Sequence, residues 1–190
     1  MASFPKSVKP NTGLKGMDVV LSNLAKEIKK IEGRSTKGLI EASIIIRRDM
    51  DFSAPMIPID TGNLRASWFV TSGTKVEKGS QASFKGKDAG QLATDHASVV
   101  SESKSVAVAI PMPVVIMGFS ANYATFVHEM VDANFAGDQS KIKRTKSGKV
   151  TQATKKYTRR AGAGAKFLEA SLKKNRKLIV ETIRKNAHIK

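Results

Sequence analysis

The chain's 190 residues suffice for one domain with a real hydrophobic core and leave little room for two. It has no cysteine, which excludes a disulfide framework and thiolate metal sites. Its 33 Lys and Arg against 16 Asp and Glu give a net charge of +17, a field that draws nucleic acid or an acidic protein and is screened by salt.

Residues 1–16 are polar, with Pro5, Pro10 and Gly13, and read as a flexible arm and not as a signal peptide. From Met17 to Ile31 the apolar residues Met17, Leu21, Leu24, Ile28 and Ile31 recur at three- and four-residue steps, opposite Lys26, Glu27, Lys29 and Lys30. That spacing predicts an amphipathic helix capped near Asp18. Gly33 suits a helix end and Ser35 a new cap, so the helical stretch 17–50 is expected to break there and restart. The second helix would carry Leu39, Ala42, Ile45, Ile46 and Met50, either as a plain core helix or as one packed on two neighbours.

Pro55 and Pro58 push the chain out of helical geometry, and Asp60 or Thr61 can cap the turn that follows, Gly62-Asn63-Leu64-Arg65. Trp68, Phe69 and Val70 favour a pleated, half-buried surface. The stretch 58–70 therefore reads as stop, cap, one helical turn and strand, a joint between a helical half and a sheet region, 58–130. An insertion at 72–104, rich in Gly, Ser, Lys and Gln, reads as a loop or long hairpin, with a weak helical pattern over 88–98. Val106 and Val108 alternate with alanines, Pro111 and Pro113 interrupt, and Val114 to Phe119 resumes, which predicts further strands and a small antiparallel sheet. The longest apolar run, 106–119, is proline-broken and too short to span a bilayer as a helix, so no membrane partner is expected. Residues 122–130 suggest a short helix.

Residues 131–163 hold few large apolar side chains and should form a basic, flexible loop. Between 137 and 160, nine Lys and Arg face one Asp; from 165 to 190, eight face two Glu, so this last third carries a balance of +14. Lys141, Lys143, Arg144, Lys146, Lys149, Lys155, Lys156, Arg159 and Arg160 are the candidate contacts to DNA or an acidic partner. A merely solvated loop is the plainer reading, and Tyr157 alone offers no base-stacking platform. A final helix over 164–187 sets Leu168, Leu172, Ile179 and Ile183 on one side and is expected to pack on the sheet. The fold class is thus α+β: N-terminal helices and a long C-terminal helix packed on a small antiparallel β-sheet, with long polar loops.

Three chemical motifs are weak. His128-Glu129 with Asp132 lacks the second histidine of a zinc-protease helix, and no third ligand is visible, so no metal or cofactor is assigned; a hydrogen-bonded histidine near an interface fits better. Gly162-Ala163-Gly164-Ala165-Lys166 lacks the spacing, preceding strand and Ser or Thr of a phosphate-cradling loop, and reads as a flexible hinge. Asp95-His96 sits in the insertion with no rigid element to hold a catalytic geometry. No catalytic residue is assigned.

Three segments nevertheless occur in a telling order: Pro58-Ile-Asp-Thr-Gly-Asn-Leu-Arg-Ala-Ser67; a strand ending at Gly118 followed by Asn122-Tyr-Ala-Thr-Phe-Val-His-Glu129; and Gly162-Ala-Gly-Ala-Lys-Phe-Leu-Glu169. This order resembles that of small tailed-bacteriophage neck proteins, variously called tail-completion, head-tail joining or minor tail-component proteins. The likeness covers about half the chain; the 72–105 excursion and the long basic segment after Val131 depart from it. It implies a structural virion protein and not an enzyme, at the head-tail interface after a period in the host cytoplasm. It also implies a ring of identical subunits, six- or twelve-fold, around the DNA passage, between a portal-side connector and a tail-terminator or tail-tube protein, with non-specific contact to genomic DNA. In that frame Asp60, Thr61, Gly62, Asn63, Leu64 and Arg65 form a structural joint, and Tyr123, Phe126, His128, Glu129 and Phe167 become candidates for subunit or partner contact. The alternative is a basic nucleic-acid-binding protein acting through residues 137–190.

Overall fold

The computed structural model describes residues 16–73, 76–79, 81–132, 135 and 161–188. Its elements are α1 (Met17–Phe52), α2 (Asn63–Ala66), β1 (Trp68–Ser72), β2 (Val76–Lys78), α3 (Ala89–Ala109), β3 (Val115–Phe119), α4 (Ala124–Glu129) and α5 (Phe167–Ala187). The class is α+β, with an N-terminal and a C-terminal helix and a three-stranded antiparallel sheet of order β2-β1-β3.

The expected break at Gly33 and Ser35 does not occur: α1 runs through both as one helix of 36 residues. An interior glycine costs about 1 kcal/mol relative to alanine, but a helix already formed on either side has no second nucleus to build. The Thr36 hydroxyl donates back to the Glu32 carbonyl at 2.9 Å within this stretch. Nor is Asp18 the cap; Gly16, at φ 100°, precedes the helix and Asp18 lies in its first turn.

β1 is the central strand and is buried along its whole length. Trp68 pairs with Phe119 and Ser72 with Val115 on one side, while Val70 pairs with Lys78 on the other, with a register shift between Val70 and Thr71. Its side chains alternate between two covers. Trp68 and Val70 join Ile46 and Met50 of α1, Ile57, Leu64 and Phe167 in the main core. Phe69 faces the other way, edge-on to His96 of α3 with ring centroids 6.2 Å apart.

The 72–104 insertion opens with a hairpin, one of its two expected forms, and then departs from expectation in a long helix. It holds β2 and most of α3, whose helix extends past the expected 88–98 to Ala109. Leu92, His96, Val100 and Ala107 are its buried positions, at four- and seven-residue steps. Val106 and Val108, expected in a strand, lie on its exposed sides, so their alternation with alanines carries no sheet face. The helix stops just before Pro111, and β3 follows as expected.

α5 was expected to pack on the sheet. Only its first turn does so: Phe167 meets Phe119 of β3 edge-on, centroids 5.7 Å apart. The rest runs antiparallel along α1. The Ser171 hydroxyl donates to the Ile46 carbonyl at 3.2 Å, Lys174 Nζ to Asp49 Oδ1 at 2.9 Å, and Asn186 Nδ2 to Glu41 Oε2 at 2.7 Å. Gly38 allows the closest approach: a Cβ there would stand 3.1 Å from the Ile183 Cα and the Asn186 Cβ. The apolar stripe of α1 is thus buried from Met50 back to Gly38, half-buried at Ser35 and Ile31, and exposed over residues 18–30. Among the described residues no helix is long and apolar enough to cross a membrane.

Burial pushes the Asp49 carboxyl up, but hydrogen bonds from Lys174, Ser53 and Ser171, together with the Lys174 charge, bring it below the ordinary carboxylate value of 3.8. A depressed folded-state pKa stabilises the fold above the unfolded value, and that contribution is lost as the pH falls through the folded one. Asp49→Asn should therefore lower the urea midpoint at neutral pH, by a modest amount because Lys174 is half-exposed. The gap from the wild type should close once the pH drops well below 3.8; urea titrations at several pH values measure it.

Candidate functional site

The first of the three motif segments folds into a buried polar joint. After α1, the chain turns through the Ala54–Pro55 stretch, where the Ile57 N–H returns to the Met50 carbonyl at 3.0 Å. Gly62, at φ 89°, precedes α2, a left-handed position that glycine reaches without a steric penalty. Neither Asp60 nor Thr61 is the cap predicted from sequence, although the Thr61 hydroxyl does accept the Asn63 N–H at 3.4 Å. Asp60 and Thr61 are exposed, while Asn63 and Leu64 are buried.

Asn63 ties the joint to the chain before α3 by a reciprocal pair: its Nδ2 donates to the Lys85 carbonyl and its Oδ1 accepts the Lys85 N–H, both at 2.8 Å. Ser67 closes the turn, its hydroxyl donating to the Leu64 carbonyl at 2.8 Å and its own carbonyl accepting the Ser120 N–H at 3.0 Å.

Arg65 reaches from α2 back to the last turn of α1. It pairs with Asp51 of α1, its Nε 2.9 Å from Oδ1 and its Nη2 3.2 Å from Oδ2. Arg47, one helical turn before Asp51, places Nη1 3.0 Å from the same Oδ1 and donates through Nη2 to the Arg65 carbonyl at 3.1 Å. Its guanidinium lies 5.4 Å over the Trp68 ring. One buried carboxylate thus gathers two guanidinium groups, and α1, α2 and β1 meet at it. Bidentate, charge-assisted bonds of this kind fix angle as well as distance.

The second and third segments meet at the start of α5. Tyr123 is half-buried; burial, and then the nearby Asp60 charge, push its hydroxyl above the usual tyrosine range, which places it beside the joint. His128 Nδ1 lies 2.7 Å from Glu129 Oε1, and Glu129 also pairs with Lys166. That Lys166 hydrogen bond, then the His128 one, holds the Glu129 carboxyl below its usual range. Lys166, at φ 57°, precedes α5, and its N–H returns to the His128 carbonyl at 2.8 Å. His128 stands edge-on to Phe167, centroids 4.9 Å apart.

Of the five contact candidates, Phe126 is 66% exposed and Phe167 only 1%. Phe167 is a core residue, so its side chain is no contact surface. The glycine segment before it is no free hinge either. Met56 N–H donates to the Gly162 carbonyl at 2.8 Å, and Gly164 N–H donates to the Met56 carbonyl at 3.1 Å. Gly162 stands at φ 84°, a left-handed position that glycine adopts without a steric penalty. The nine basic candidates from Lys141 to Arg160 lie outside the described residues, as does nearly all of the expected loop 131–163.

His96 was set aside on sequence grounds as unsupported by a rigid element. It sits in the middle of α3, buried, with Nδ1 2.6 Å from the Ser120 hydroxyl and Nε2 2.5 Å from the Gly79 carbonyl. A carbonyl only accepts, so Nε2 carries the proton. Phe69 and Phe84 cover it edge-on. Its bonds join β3's end, the segment after β2, and α3. The available signal was its spacing, four residues from both Leu92 and Val100. Among the described residues, no three His, Asp or Glu are grouped to hold a metal ion. No known protein family, curated protein or solved structure matches the chain.

If the Asp51 carboxylate organises the joint, substitutions should rank by burial. Asp51→Asn, which leaves two guanidinium groups facing a neutral amide, should cost about 3 kcal/mol. Arg65→Ala, whose side chain is 43% exposed, should cost about 1 kcal/mol or less. Equal costs in urea unfolding would contradict the ranking.

Proposed function

We propose that this chain is a structural subunit of a tailed-phage neck, assembling as an oligomeric ring that joins the DNA-filled head to the tail around the DNA passage. The observation that carries the reading is the outer half of α1. Residues 18–30 are exposed throughout, and the stripe that α5 covers from Met50 to Gly38 continues beyond α5 as Leu24, Leu21 and Ile28, which are 55%, 49% and 46% exposed. An isolated helix of that length is marginal in water, so its stability calls for a partner surface.

The motif residues support the same reading by what they do. Asp60 to Arg65 and Gly162 to Phe167 hold elements together, and Tyr123, Phe126, His128 and Glu129 edge the body beside them. A rigid joint of this kind suits a subunit that must repeat one geometry around an axis. The basic last third suits a lumen or a neighbour facing DNA.

The second reading, nucleic-acid binding through residues 137–190, draws on the exposed Lys and Arg of α5 and predicts tight, steeply salt-dependent binding of naked DNA by the lone subunit. The neck reading makes a different prediction. Disrupting the coding sequence in the phage that carries it should leave filled heads and complete tails unjoined, counted by electron microscopy. Normal yields of finished particles would overturn it.

A further inference from the structure

The free stripe on α1 has a matching surface elsewhere on the same subunit. Between the middle of α1, the end of β1 at Ser72 and Gly73, and the turn from α3 to β3 lies an open groove of about 1030 Å³. Ile40, Val108, Ile110, Pro111, Met112 and Val114 supply its apolar lining, and Val108 and Met112 are 64% and 65% exposed. Its rim is mixed in sign, with Lys29 and Lys37 beside Glu32, Glu41 and Glu77. Resting on the ring reading above, we infer that this groove is the seat for the outer half of α1 of a second copy of the chain, so that each subunit grips the next head to tail.

Three observations select a second copy and this polarity. First, Val20, Leu21, Leu24 and Ile28 present the spacing by which an amphipathic helix fills an apolar groove, and residues 17–31 give it a reach of roughly 22 Å at 1.5 Å per residue. Second, stripe and groove floor belong to one uninterrupted helix. Ile40, Thr36 and Gly33 lie roughly 130° around α1 from the stripe, at about 100° per residue. A straight helix cannot fold its own stripe into its own groove, so the occupant comes from another molecule. A subunit with donor and acceptor on opposite faces of one helix builds a head-to-tail series, which closes as a ring when the rotation permits.

Third, the two stripes do not suit each other. Asp18 and Glu32 flank the seam on one side and Glu27 on the other. Laid parallel, two copies bring Glu27 against Glu32; laid antiparallel, they bring Glu27 against Glu27 and Asp18 against Glu32, like charges at the positions that choose helix partners. The mixed rim of the groove imposes no such repulsion. In area, the half-exposed aliphatic side chains of stripe and groove together amount to a few hundred Å² of apolar surface, taking roughly 60–120 Å² per fully buried side chain. That places a single contact at the small end of specific interfaces. In a closed ring every copy makes it twice.

The chain has no cysteine, so introduced thiols report unambiguously. Full-length Leu24→Cys and Met112→Cys proteins, mixed and mildly oxidised, should give a disulfide-linked dimer that neither gives alone. Leu24→Asp with Ile28→Asp, both at exposed positions, should abolish the wild-type oligomer in sedimentation while leaving circular dichroism and the melting temperature nearly unchanged. Cross-linking of Leu24→Cys to itself would overturn the groove in favour of paired α1 helices. An oligomer that survives the double aspartate variant would overturn this interface while sparing the ring. A wild type that stays monomeric at every concentration would overturn ring and interface together.

Discussion

The architecture depends on how far α5 accompanies α1. The pair begins where Phe167 enters the core beside Met50 and Trp68, continues through the Ser171 and Lys174 bonds, and reaches Gly38, whose missing side chain leaves room for the Ile183 backbone. On the covered side of that limit, burying each large aliphatic or aromatic side chain contributes about 1.5–3 kcal/mol. Beyond it the same stripe passes through half-buried Ser35 and Ile31 and is exposed over residues 18–30. A helix of 36 residues is thus half core element and half exposed rod, and the proposed assembly follows from that inequality.

The joint makes the rod's direction dependable. A helix that projects from a body transmits any looseness at its base along its length. Here the base is held by the Asp51 carboxylate, which binds α1's last turn to Arg65 of α2 while Arg47 spans from the same carboxylate to the Trp68 face. His96 does corresponding work on the opposite side of the sheet, where its two ring nitrogens tie the segment after β2 to the end of β3. Both groups are buried polar clusters with their partners satisfied, the arrangement that specifies a unique packing and not merely a compact one. What they do is positional: each ties separate elements together.

Much of this was legible in the residues. The turn-then-strand reading of 58–70, the β3 strand, the amphipathic α1 and the basic α5 all follow from strong periodicity or from glycine and proline punctuation. The rest was hidden for physical reasons. α3 contains so much alanine and serine that its faces differ little, so its period was obscured, and Val106 and Val108 passed for strand residues. Gly33 and Ser35 carried a stop signal that the helices on either side outweighed. Arg65's partner lies 14 residues back on another element, and no local pattern reveals a pairing made by the chain's return. Phe167 looked like a contact residue because it lies in a motif segment, but opening a helix above a core is enough to bury it.

In the proposed assembly one chain completes its own body but leaves the outer half of α1 unfinished until a second copy arrives. Amide hydrogen exchange, followed residue by residue across a range of protein concentrations, tests it most directly. Amides of residues 42–50 should be protected at every concentration, while those of 18–30 should exchange rapidly in the dilute monomer and slow sharply on assembly. Residues 18–30 protected as strongly as 42–50 in a dilute monomer would contradict it.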